Sequence, residues 1–392
     1  MLDGVNVALG VTGSIAAVKT VELAHELRRE GANVRAVMTG AATNIIGPWS
    51  LEFATENEVV TELTGRVAHV ELCGRNGWAD VFLVAPATAN TVGKIAAAID
   101  DTPVTTCATT ALGAGIPTVV APAMHEPMYD HPAVPEKLAT LEEWGVETVD
   151  PRIEEGKAKI AAEAAIVTGV ARAAGERPLA GKTVVVTAGG TTEKVDPVRA
   201  LTNRASGKTG RAVARACHVR GADVRLIHGD LVGNRPDTHY AETTWVESVS
   251  ELQEATFEAV DDADAFVSAA AVSDYTLDAA SEKIRSGEEE LTLTLRPTPK
   301  LVDAVRERFP DLPIVGFKAE TSGDDEALVA QARSLRDRID AAFVVANDAS
   351  VMGADQTRAL LVDTATYTSY EGEKVGLGLA VADELATVLS SA

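Results

Sequence analysis

The chain has few cysteines, few basic residues and no long hydrophobic run. Its three cysteines, Cys73, Cys107 and Cys217, are odd in number and far apart. This distribution argues against a disulfide framework and against a structural zinc site, and it fits a reducing compartment. No apolar run reaches the roughly 18 residues of a membrane span, and residues 1–9 lack the basic start of a signal peptide. We therefore expect a cytoplasmic protein without a membrane anchor.

The shortage of basic residues limits the partners of the protein. Its 392 residues include 35 lysines and arginines against 58 aspartates and glutamates, a formal net charge of −23. A surface this acidic repels phosphate backbones and anionic lipids, so we expect no nucleic-acid or membrane partner. The acidic residues are spread along the chain, which indicates a solvated surface suited to high salt. The apolar share of 46% excludes a disordered, collagen-like or coiled-coil chain.

The pattern of apolar segments predicts two successive cycles of strand, tight turn and helix. The first cycle begins with a strand at 5–9, a small-residue turn at 10–14 and a helix at 15–29. The second begins with a strand at 182–187, a Gly-rich turn at 188–192 and a helix at 210–220. Further strands are expected at 34–38, 81–85, 118–121, 224–227, 265–271, 314–317 and 343–346, and a half-exposed one at Leu291, Leu293 and Leu295.

This alternation indicates an α/β protein with two tandem Rossmann-like domains, each built on a doubly wound parallel sheet. Between the two cycles, the stretch 171–181 is rich in small and charged residues and contains a proline, as an interdomain linker does. We therefore predict a first domain at 1–170 and a second at 182–392.

The first turn is a candidate phosphate site. The backbone amides of Gly13, Ser14 and Ile15 are expected to be unpaired at a helix N-terminus, where phosphate is favoured. An ordinary helix capped by Ser14 fits the same spacing. Gly10 and Gly13 do not complete the dinucleotide fingerprint, and the second strand ends at Thr39 without the acid that holds an NAD ribose. A mononucleotide such as FMN therefore fits better than NAD.

Proline and polar residues follow two further strands, in the segments 85–91 and 121–128. Open parallel sheets bind ligands at the carboxyl ends of their strands, although a proline there also simply ends a strand. His69 stands between the second and third strands. A lone histidine is more often a surface residue than a catalyst, so its position alone decides nothing.

In the second half, the turn at 188–192 and the stretch 203–210 are candidate phosphate contacts. Ser206-Gly207-Lys208-Thr209 is similar to the end of a P-loop, but the first glycine of that motif is missing at the required spacing. We therefore reject a P-loop here. The remaining alternative to a phosphate contact is a helix cap with a surface lysine.

Together these motifs resemble a known family, the bifunctional phosphopantothenoylcysteine decarboxylase/phosphopantothenate–cysteine ligases of coenzyme A synthesis, in an archaeal, halophile-like form. The family's phosphate loop is matched by Gly13-Ser14-Ile15-Ala16, its histidine by His69 and its Ala-Pro-x-x-Ala-Asn segment by residues 85–90. The resemblance implies FMN as the cofactor of a flavoprotein-type first domain. The residues that it implies around FMN are Gly13, Ser14, Ile15, Thr39, Thr88 and Asn90.

The resemblance also implies the chemistry of the first half: oxidation of the substrate thiol by FMN, loss of carbon dioxide from the thioaldehyde, and reduction of the enethiol. His69 would be the base or would orient the substrate carboxylate. His125 stands where the family has asparagine, which implies a kept role with a changed pH dependence. The family's flap cysteine is missing from 154–159, where Lys157 or Lys159 would donate the proton, cover the flavin or only be solvated.

In the second half the match to the ligases covers 196–199, Asn203, 206–208, 269–275, 282–284, 316–317 and 346–348. It implies that CTP with magnesium converts 4'-phosphopantothenate to an acyl-cytidylate, which the cysteine amine attacks with release of CMP. Asn203 would hold the acyl intermediate, and Lys283 would close over the phosphates. The implied CTP contacts are Ser268, Ala269, Ala270, Asp274, Lys283, Pro299, Lys300, Leu301, Val302 and Phe317.

Two lysines of the bacterial pattern correspond to Leu335 and Ile339, so the phosphate contacts implied there fall to Arg336 or Arg338. The sequence indicates no metal ligands. The resemblance also implies a homo-oligomer whose flavin site is built from more than one subunit. Two other functions are open: a flavin-binding regulatory module that lost its chemistry with the flap cysteine, and a tandem Rossmann oxidoreductase. His69 argues against the first, and the missing ribose acid argues against the second.

Overall fold

The computed structural model describes residues 1–230, 235–285, 290–320, 325–348 and 356–391. The chain forms two compact units, Met1–Gly175 and Glu176–Ala392. The first unit ends in a helix that runs to Ala174, so the first part of the expected linker, 171–174, is helical. Alanine is a strong helix former, and Ala171 and Ala173 are buried in this unit, which explains why the composition there was misleading.

The first unit contains one parallel sheet and one small antiparallel sheet. Its strands are β1 (Asn6–Val11), β2 (Asn33–Met38), β3 (Val81–Ala87), β4 (Thr118–Pro122), β5 (Met124–His125), β6 (Glu147–Thr148), β7 (Arg152–Glu154) and β8 (Lys157–Lys159). The parallel sheet has the order β2-β1-β3-β4-β6. The antiparallel sheet has the order β5-β8-β7. The predicted parallel sheet is confirmed for this unit.

Helices connect these strands. They are a 3-10 helix at Ile15–Lys19, followed by α1 (Thr20–Arg29), α2 (Gly40–Thr43), α3 (Pro48–Thr55), α4 (Ala68–Cys73), α5 (Ala89–Ala96), α6 (Pro103–Ala114), α7 (Glu126–Tyr129), α8 (Ala133–Glu143) and α9 (Glu163–Ala174). α1 buries Leu23, Ala24 and Leu27, whose spacing places them on one face. Full burial of one such leucine contributes about 1.5–3 kcal/mol. Because consecutive residues of β1 are buried, both faces of the sheet are covered there.

The second unit is built on an eight-stranded sheet. Its strands are β9 (Thr183–Ala188), β10 (Thr192–Lys194), β11 (Ala200–Thr202), β12 (Asp223–Gly229), β13 (Glu242–Val246), β14 (Ala265–Ser268), β15 (Tyr275–Thr276), β16 (Arg296–Pro297), β17 (Ile314–Glu320), β18 (Phe343–Asp348), β19 (Gln356–Val362) and β20 (Tyr367–Glu373). The order of the large sheet is β13-β12-β9-β14-β17-β18-β19-β20. It is parallel from β13 to β18, a Rossmann-like order, and β19 and β20 add an antiparallel edge.

The helices of the second unit are α10 (Lys208–Val219), α11 (Val249–Ala259), α12 (Leu301–Arg308), α13 (Asp325–Ile339) and α14 (Lys374–Ser391). Within the described ranges, no helix has both the length and the apolar character needed to cross a membrane. α10 and α14 pack their apolar faces into the core beside the central strands, through residues such as Val213, Cys217 and Leu385.

Two expectations for this unit are wrong in detail. Residues 291–295 are not a strand, and Leu291 is 53% exposed while Leu295 is 42% exposed. Alternation stabilises a strand only where one face packs on a neighbour, and this segment has no buried face. The strand expected at 265–271 ends at Ser268, after which the chain leaves the sheet and Ala271 forms an isolated bridge with Gly190.

Candidate active sites

The carboxyl ends of β2, β1, β3 and β4 are neighbours in the first unit, since these strands adjoin in one parallel sheet. Shortly after these ends come Thr39, the turn 13–15, Thr88 and His125, respectively. Asn90 lies in the first turn of α5, just behind Thr88. This edge therefore brings together the residues implied for FMN, at the place where open parallel sheets bind ligands.

Thr12 joins two of these strand ends, although the sequence analysis did not identify it as a site residue. Its buried hydroxyl donates to the Pro86 carbonyl oxygen (2.6 Å) and accepts from the Thr88 amide (3.3 Å). The turn after β1 is thereby fixed against the turn after β3. The sequence feature that could have identified Thr12 is its polar side chain, which stands between an apolar strand and Gly13.

Hydrogen bonds inside the first turn decide which amides remain for a ligand. The Ser14 amide donates to the Thr12 carbonyl oxygen (2.8 Å), so the expectation of unpaired amides is wrong for Ser14. The turn is tight enough to bring a carbonyl group two residues back within reach. The Ser14 hydroxyl accepts from the Ala16 amide (3.3 Å) and caps the 3-10 helix. The Gly13 and Ile15 amides make no hydrogen bond to the described part of the chain.

Gly13 packs too closely against α2 to carry a side chain. A Cβ atom built on Gly13 would lie 2.5 Å from the Cβ of Ala41. The residues after the neighbouring strands act as helix caps: the Thr39 hydroxyl accepts from the Ala42 amide (3.2 Å), and the Thr88 hydroxyl accepts from the Thr91 amide (3.2 Å). The helices that follow β2 and β3 therefore both begin with a side-chain cap at this edge.

His69 lies in the first turn of α4 and is half-buried. Its Nδ1 atom is buried and has no hydrogen-bond partner among the described residues. Leaving a buried polar atom unpaired costs about 1–3 kcal/mol, which a bound molecule with a matching group would recover. This unpaired ring nitrogen distinguishes His69 from an ordinary surface histidine.

The hairpin of β7 and β8 places one of the two candidate lysines next to His125. In the pairing of β5 with β8, His125 is opposite Lys157, and Met124 is opposite Ala158. Opposite residues of an antiparallel pair point to the same face, with Cβ atoms about 4.5–5.5 Å apart. His125 and Lys157 are both exposed, whereas Ala158 is buried. His125, which replaces the family's asparagine, and Lys157, which lies in the stretch that lacks the flap cysteine, therefore lie on one exposed face.

Lys159, the other candidate lysine, is engaged in ion pairs. Its Nζ atom donates to Glu155 Oε2 (2.9 Å) and to Glu154 Oε2 (3.1 Å). These hydrogen bonds raise the pKa of Lys159 above its ordinary value. Lys159 therefore releases a proton less readily than an unpaired lysine does.

The three cysteines are free and buried. A side-chain hydrogen bond with Cys107, together with burial, raises the pKa of Cys73, and burial raises the pKa of Cys217 to about 12. Thiols in this state are poor nucleophiles, so the structure gives Cys73 and Cys217 a packing role. In the part of the chain that the structure describes, no group of three His, Cys, Asp or Glu side chains is placed to hold a metal ion.

In the second unit, Asn203 is fixed beside the turn that follows β9. Its Nδ2 donates to the Ala271 carbonyl oxygen (2.6 Å), and its Oδ1 accepts from the Ala205 amide (2.9 Å). The Ala271 amide in turn donates to the Gly189 carbonyl oxygen (2.8 Å). A Cβ atom on Gly190 would collide with the Asn203 amide group, so a larger residue there would displace this side chain. Asn203 is thus held in one orientation.

Two adjoining cavities lie at the carboxyl edge of the second sheet. Their volumes are about 380 Å³ and about 340 Å³, and Ala270, Val272, Asp274, Phe317 and Lys318 line both. The implied CTP contacts in the wall of the first cavity are Ser268, Ala270, Asp274, Pro299, Lys300, Leu301, Val302 and Phe317. Ala269 lines the second cavity instead. The structure therefore gathers most of the implied nucleotide contacts around one space.

The second cavity borders the N-terminus of α10. Residues 206–210 line it, together with Asn347 and with two lysines, Lys318 and Lys374, that sequence reasoning missed. Lys374 begins α14, and no motif around it indicated a site. Lysine ammonium groups and a helix N-terminus both favour an anionic ligand.

Lys283 and the arginines of α13 complete the candidate set. Lys283 is exposed, and the described walls of the two cavities include neither Lys283 nor Asn203. Arg338 lines the first cavity and is ion-paired with Asp303. Arg336 is ion-paired with the adjacent Asp337 (3.1 Å) and is absent from that wall. Of these two arginines, Arg338 is the one placed at the cavity.

Comparison with known proteins gives matches along the whole chain. The Flavoprotein family model matches residues 1–175, and the model of the DNA/pantothenate metabolism flavoprotein C-terminal domain matches residues 179–389. The chain is 47% identical over 368 residues to the coenzyme A biosynthesis bifunctional protein CoaBC of Thermococcus kodakarensis, which covers 92% of this chain and 89% of that protein. It is 35% identical over 379 residues to the protein of the same name from Methanocaldococcus jannaschii, covering 96% of this chain and 90% of that protein.

Among solved structures, the DNA/pantothenate metabolism flavoprotein from Streptococcus pneumoniae is 25% identical to this chain and has a TM-score of 0.48. The alignment covers 53% of this chain and 100% of that one.

Proposed function

The chain belongs to the family of coenzyme A biosynthesis bifunctional proteins CoaBC, and from this membership we propose a function for each unit. The second unit joins 4'-phosphopantothenate to cysteine with CTP, and the first unit decarboxylates the resulting phosphopantothenoylcysteine to 4'-phosphopantetheine with FMN. The observation that carries the proposal is that the family similarity extends through both units. Each unit also has a cluster of the implied site residues at the carboxyl edge of its parallel sheet.

The carboxyl edge of the first sheet fits FMN. The Gly13 and Ile15 amides suit its phosphate, and the capped turns of Thr39 and Thr88 flank the space beside them. Asn90 follows on α5. When bound, FMN supplies the oxidation of the substrate thiol and the later return of the two electrons. The residues of the chain hold the cofactor, orient the substrate and move protons.

Replacing Gly13 with alanine tests the FMN site. The new Cβ atom would displace the turn from Ala41, so we expect at least about ten-fold weaker FMN binding, which corresponds to about 1.4 kcal/mol. Titration of the flavin-free protein with FMN, followed by flavin fluorescence, gives the affinity. Gly113→Ala in α6 is the control because nothing lies within 4 Å of its added Cβ atom. Equal FMN affinity in both variants would show that the turn is not part of the FMN site.

We assign His69 and His125 to the substrate carboxylate and thiol. The buried Nδ1 atom of His69 can accept a proton in one tautomer and donate a hydrogen bond in the other. His125 stands exposed past the end of β4, where it can donate a second hydrogen bond. Holding the carboxylate between two donors orients the bond that breaks when carbon dioxide leaves.

Lys157 is our candidate for the group that replaces the missing flap cysteine. It lies opposite His125, whereas Lys159 is paired with two glutamates. In this role Lys157 holds at Nζ the proton that the enethiol carbon takes up in the last step, when the two electrons return.

We expect Lys157→Ala to release a product two hydrogens short of phosphopantetheine, with the complete product formed about 10²-fold more slowly. Mass spectrometry of the reaction mixture distinguishes the two products. Lys159→Ala is the matched control on the same strand and should form phosphopantetheine at nearly the normal rate. If Lys159→Ala rather than Lys157→Ala released the product that is two hydrogens short, Lys159 would be the proton donor instead of Lys157.

Ligation uses the two adjoining cavities of the second unit. CTP enters the first cavity together with its magnesium, and 4'-phosphopantothenate occupies the second, next to the N-terminus of α10. A carboxylate oxygen attacks the α-phosphorus and pyrophosphate leaves; the cysteine amine then attacks the acyl carbon and CMP leaves. Asn203 holds the acyl group, and Lys283 and Arg338 offset the negative charge that develops on the phosphates.

The function is tested by incubating the protein with 4'-phosphopantothenate, cysteine, CTP and magnesium, in high salt because of the acidic composition. We expect a protein with bound flavin, visible in its absorbance, and conversion of the substrates to 4'-phosphopantetheine. A flavin-loaded protein that stopped at phosphopantothenoylcysteine would favour the regulatory module. Bleaching of the flavin by NADH without conversion would favour an oxidoreductase.

We also propose a cytoplasmic homo-oligomer. Trp49 (73% exposed) and Phe53 (75% exposed) are four residues apart on α3 and share one face, and Ile15 beside the FMN turn is 77% exposed. Large apolar side chains exposed in this way support contact with a second copy. A particle mass of one chain in light scattering would refute the homo-oligomer.

The free buried thiols suit a reducing compartment, which supports the proposed cytoplasmic location. Recovery of the protein outside the cytoplasm would argue against that location.

A further inference from the structure

Asp196 is a fully buried carboxylate that lies outside both cavities, in the turn between β10 and β11. Its Oδ1 accepts from the Val198 and Arg199 amides (both 2.8 Å) and closes that turn. Its Oδ2 accepts from the Ile284 amide (3.1 Å) and lies 3.3 Å from Arg199 Nε. Ile284 directly follows Lys283, so the buried carboxylate holds the backbone next to that lysine.

Two further hydrogen bonds fasten the same loop to the same turn. Arg199 donates from its guanidinium to the Ile284 carbonyl oxygen, and the Ala280 amide donates to the Val195 carbonyl oxygen (2.9 Å). The other end of this hairpin leads to Asn203, which directly follows β11. One short hairpin therefore carries Asn203 and anchors the loop that carries Lys283.

Burial alone would raise the pKa of Asp196, but three backbone amides and the Arg199 charge hold that pKa below its ordinary value. The group is therefore charged at neutral pH, and hydrogen bonds to a charged acceptor are roughly twice as strong as neutral ones. A neutral amide side chain at this position cannot accept from both the turn and the loop, because it has one oxygen instead of two.

We propose that Asp196 is a positioning residue for ligation: it fixes the Lys283 loop to the hairpin that carries Asn203, so that both side chains reach one substrate. This inference rests on the proposed ligase function of the second unit. Asp196 itself takes no part in the chemistry. Its effect on the rate should therefore come from the position of Lys283 relative to Asn203, and it should be lost when Lys283 is absent.

The test is a double-mutant cycle on the full chain, with CMP release as the readout. Asp196→Asn keeps one oxygen for the turn and turns an NH₂ group toward the Ile284 amide, so we expect kcat to fall about 10- to 100-fold. In a Lys283→Ala background the same change should cost less than about two-fold, since the effect passes through Lys283. Asp264→Asn is the matched control: Asp264 also accepts a backbone amide, from Thr183 (2.8 Å), and a lysine, Lys182 (2.9 Å).

A second readout reports the position of the loop without any chemistry. Trypsin cuts after Lys283 and Arg285, and mass spectrometry identifies the fragments. We expect Asp196→Asn to speed cleavage there about ten-fold, and Asp264→Asn to leave it unchanged. Ile284→Pro removes the same hydrogen bond from the loop side. It should reproduce the fall in kcat and the faster cleavage after Arg285 even if the Asp196 variant folds poorly, whereas the lysine–proline bond that it creates after Lys283 is not a trypsin site.

Equal losses from Asp196→Asn with and without Lys283 would show a general structural role and overturn the proposal. Unchanged kcat and unchanged cleavage in both Asp196→Asn and Ile284→Pro would overturn it as well. A failure of the ligase function itself looks different, because the unmodified protein would then release no CMP from CTP in the presence of 4'-phosphopantothenate and cysteine.

Discussion

Replacing His69 with asparagine is expected to slow decarboxylation by about 10²- to 10⁴-fold, the usual contribution of a positioned acid or base. Ligation should continue at its normal rate, because the CTP cavity and Asn203 belong to the other unit. The reaction with all substrates should therefore accumulate phosphopantothenoylcysteine, which quantitative mass spectrometry detects. Asparagine keeps a hydrogen-bonding group of similar reach but cannot take up a proton, so the variant isolates the role of the ring.

The matched control is His131→Asn. His131 is exposed, and its Nδ1 atom already accepts the Ala133 amide (3.2 Å), unlike the unpaired Nδ1 atom of His69. Flavin absorbance of both variants shows whether FMN is retained. Normal phosphopantetheine formation by a flavin-loaded His69→Asn variant would exclude His69 from the reaction.

Replacing Lys283 with alanine is expected to slow ligation by about 10²- to 10³-fold, the typical cost of removing one group that offsets charge in a transition state. Decarboxylation of added phosphopantothenoylcysteine should stay normal. Release of CMP from CTP measures the first effect, and release of carbon dioxide measures the second. The loss should appear mainly in kcat, since Lys283 lies outside the described cavity walls and would engage the phosphates only during the reaction.

Arg285→Gln is the control for Lys283, because it removes a positive charge from the same exposed loop two residues away. It should leave ligation within about two-fold of normal, as expected for a solvated charge. A larger effect of Arg285→Gln than of Lys283→Ala would transfer the proposed role to Arg285.

The sequence predicted the central strands of both sheets well, because buried parallel strands are continuous apolar runs. β20 was missed for the opposite reason: none of its residues is buried, and its pairing with β19 stabilises it. The expected strand at 291–295 had alternation but no sheet face to pack on. The apolar pattern therefore identified the central parallel strands, but it missed β19, which is largely buried, as well as the exposed edge strand β20.

The placement of the site followed from the topology, because the residues after parallel strands must gather at one edge of a sheet. Finer relations were beyond the sequence. β5 has only two residues and β8 only three, too few for a pattern that would pair His125 with Lys157. The hydrogen bond from Ile284 to Asp196 joins residues 88 positions apart. Such contacts depend on tertiary packing, which no local spacing encodes.

The coupling of ligation to decarboxylation is measured with cysteine labelled at its carboxyl carbon, supplied with 4'-phosphopantothenate and a limiting amount of CTP. We expect one CMP and one labelled carbon dioxide for each phosphopantetheine formed, and no labelled carbon dioxide when CTP is omitted. CMP release without labelled carbon dioxide would contradict the decarboxylase function of the first unit. Labelled carbon dioxide formed without CTP would contradict the dependence of the first unit's reaction on ligation by the second.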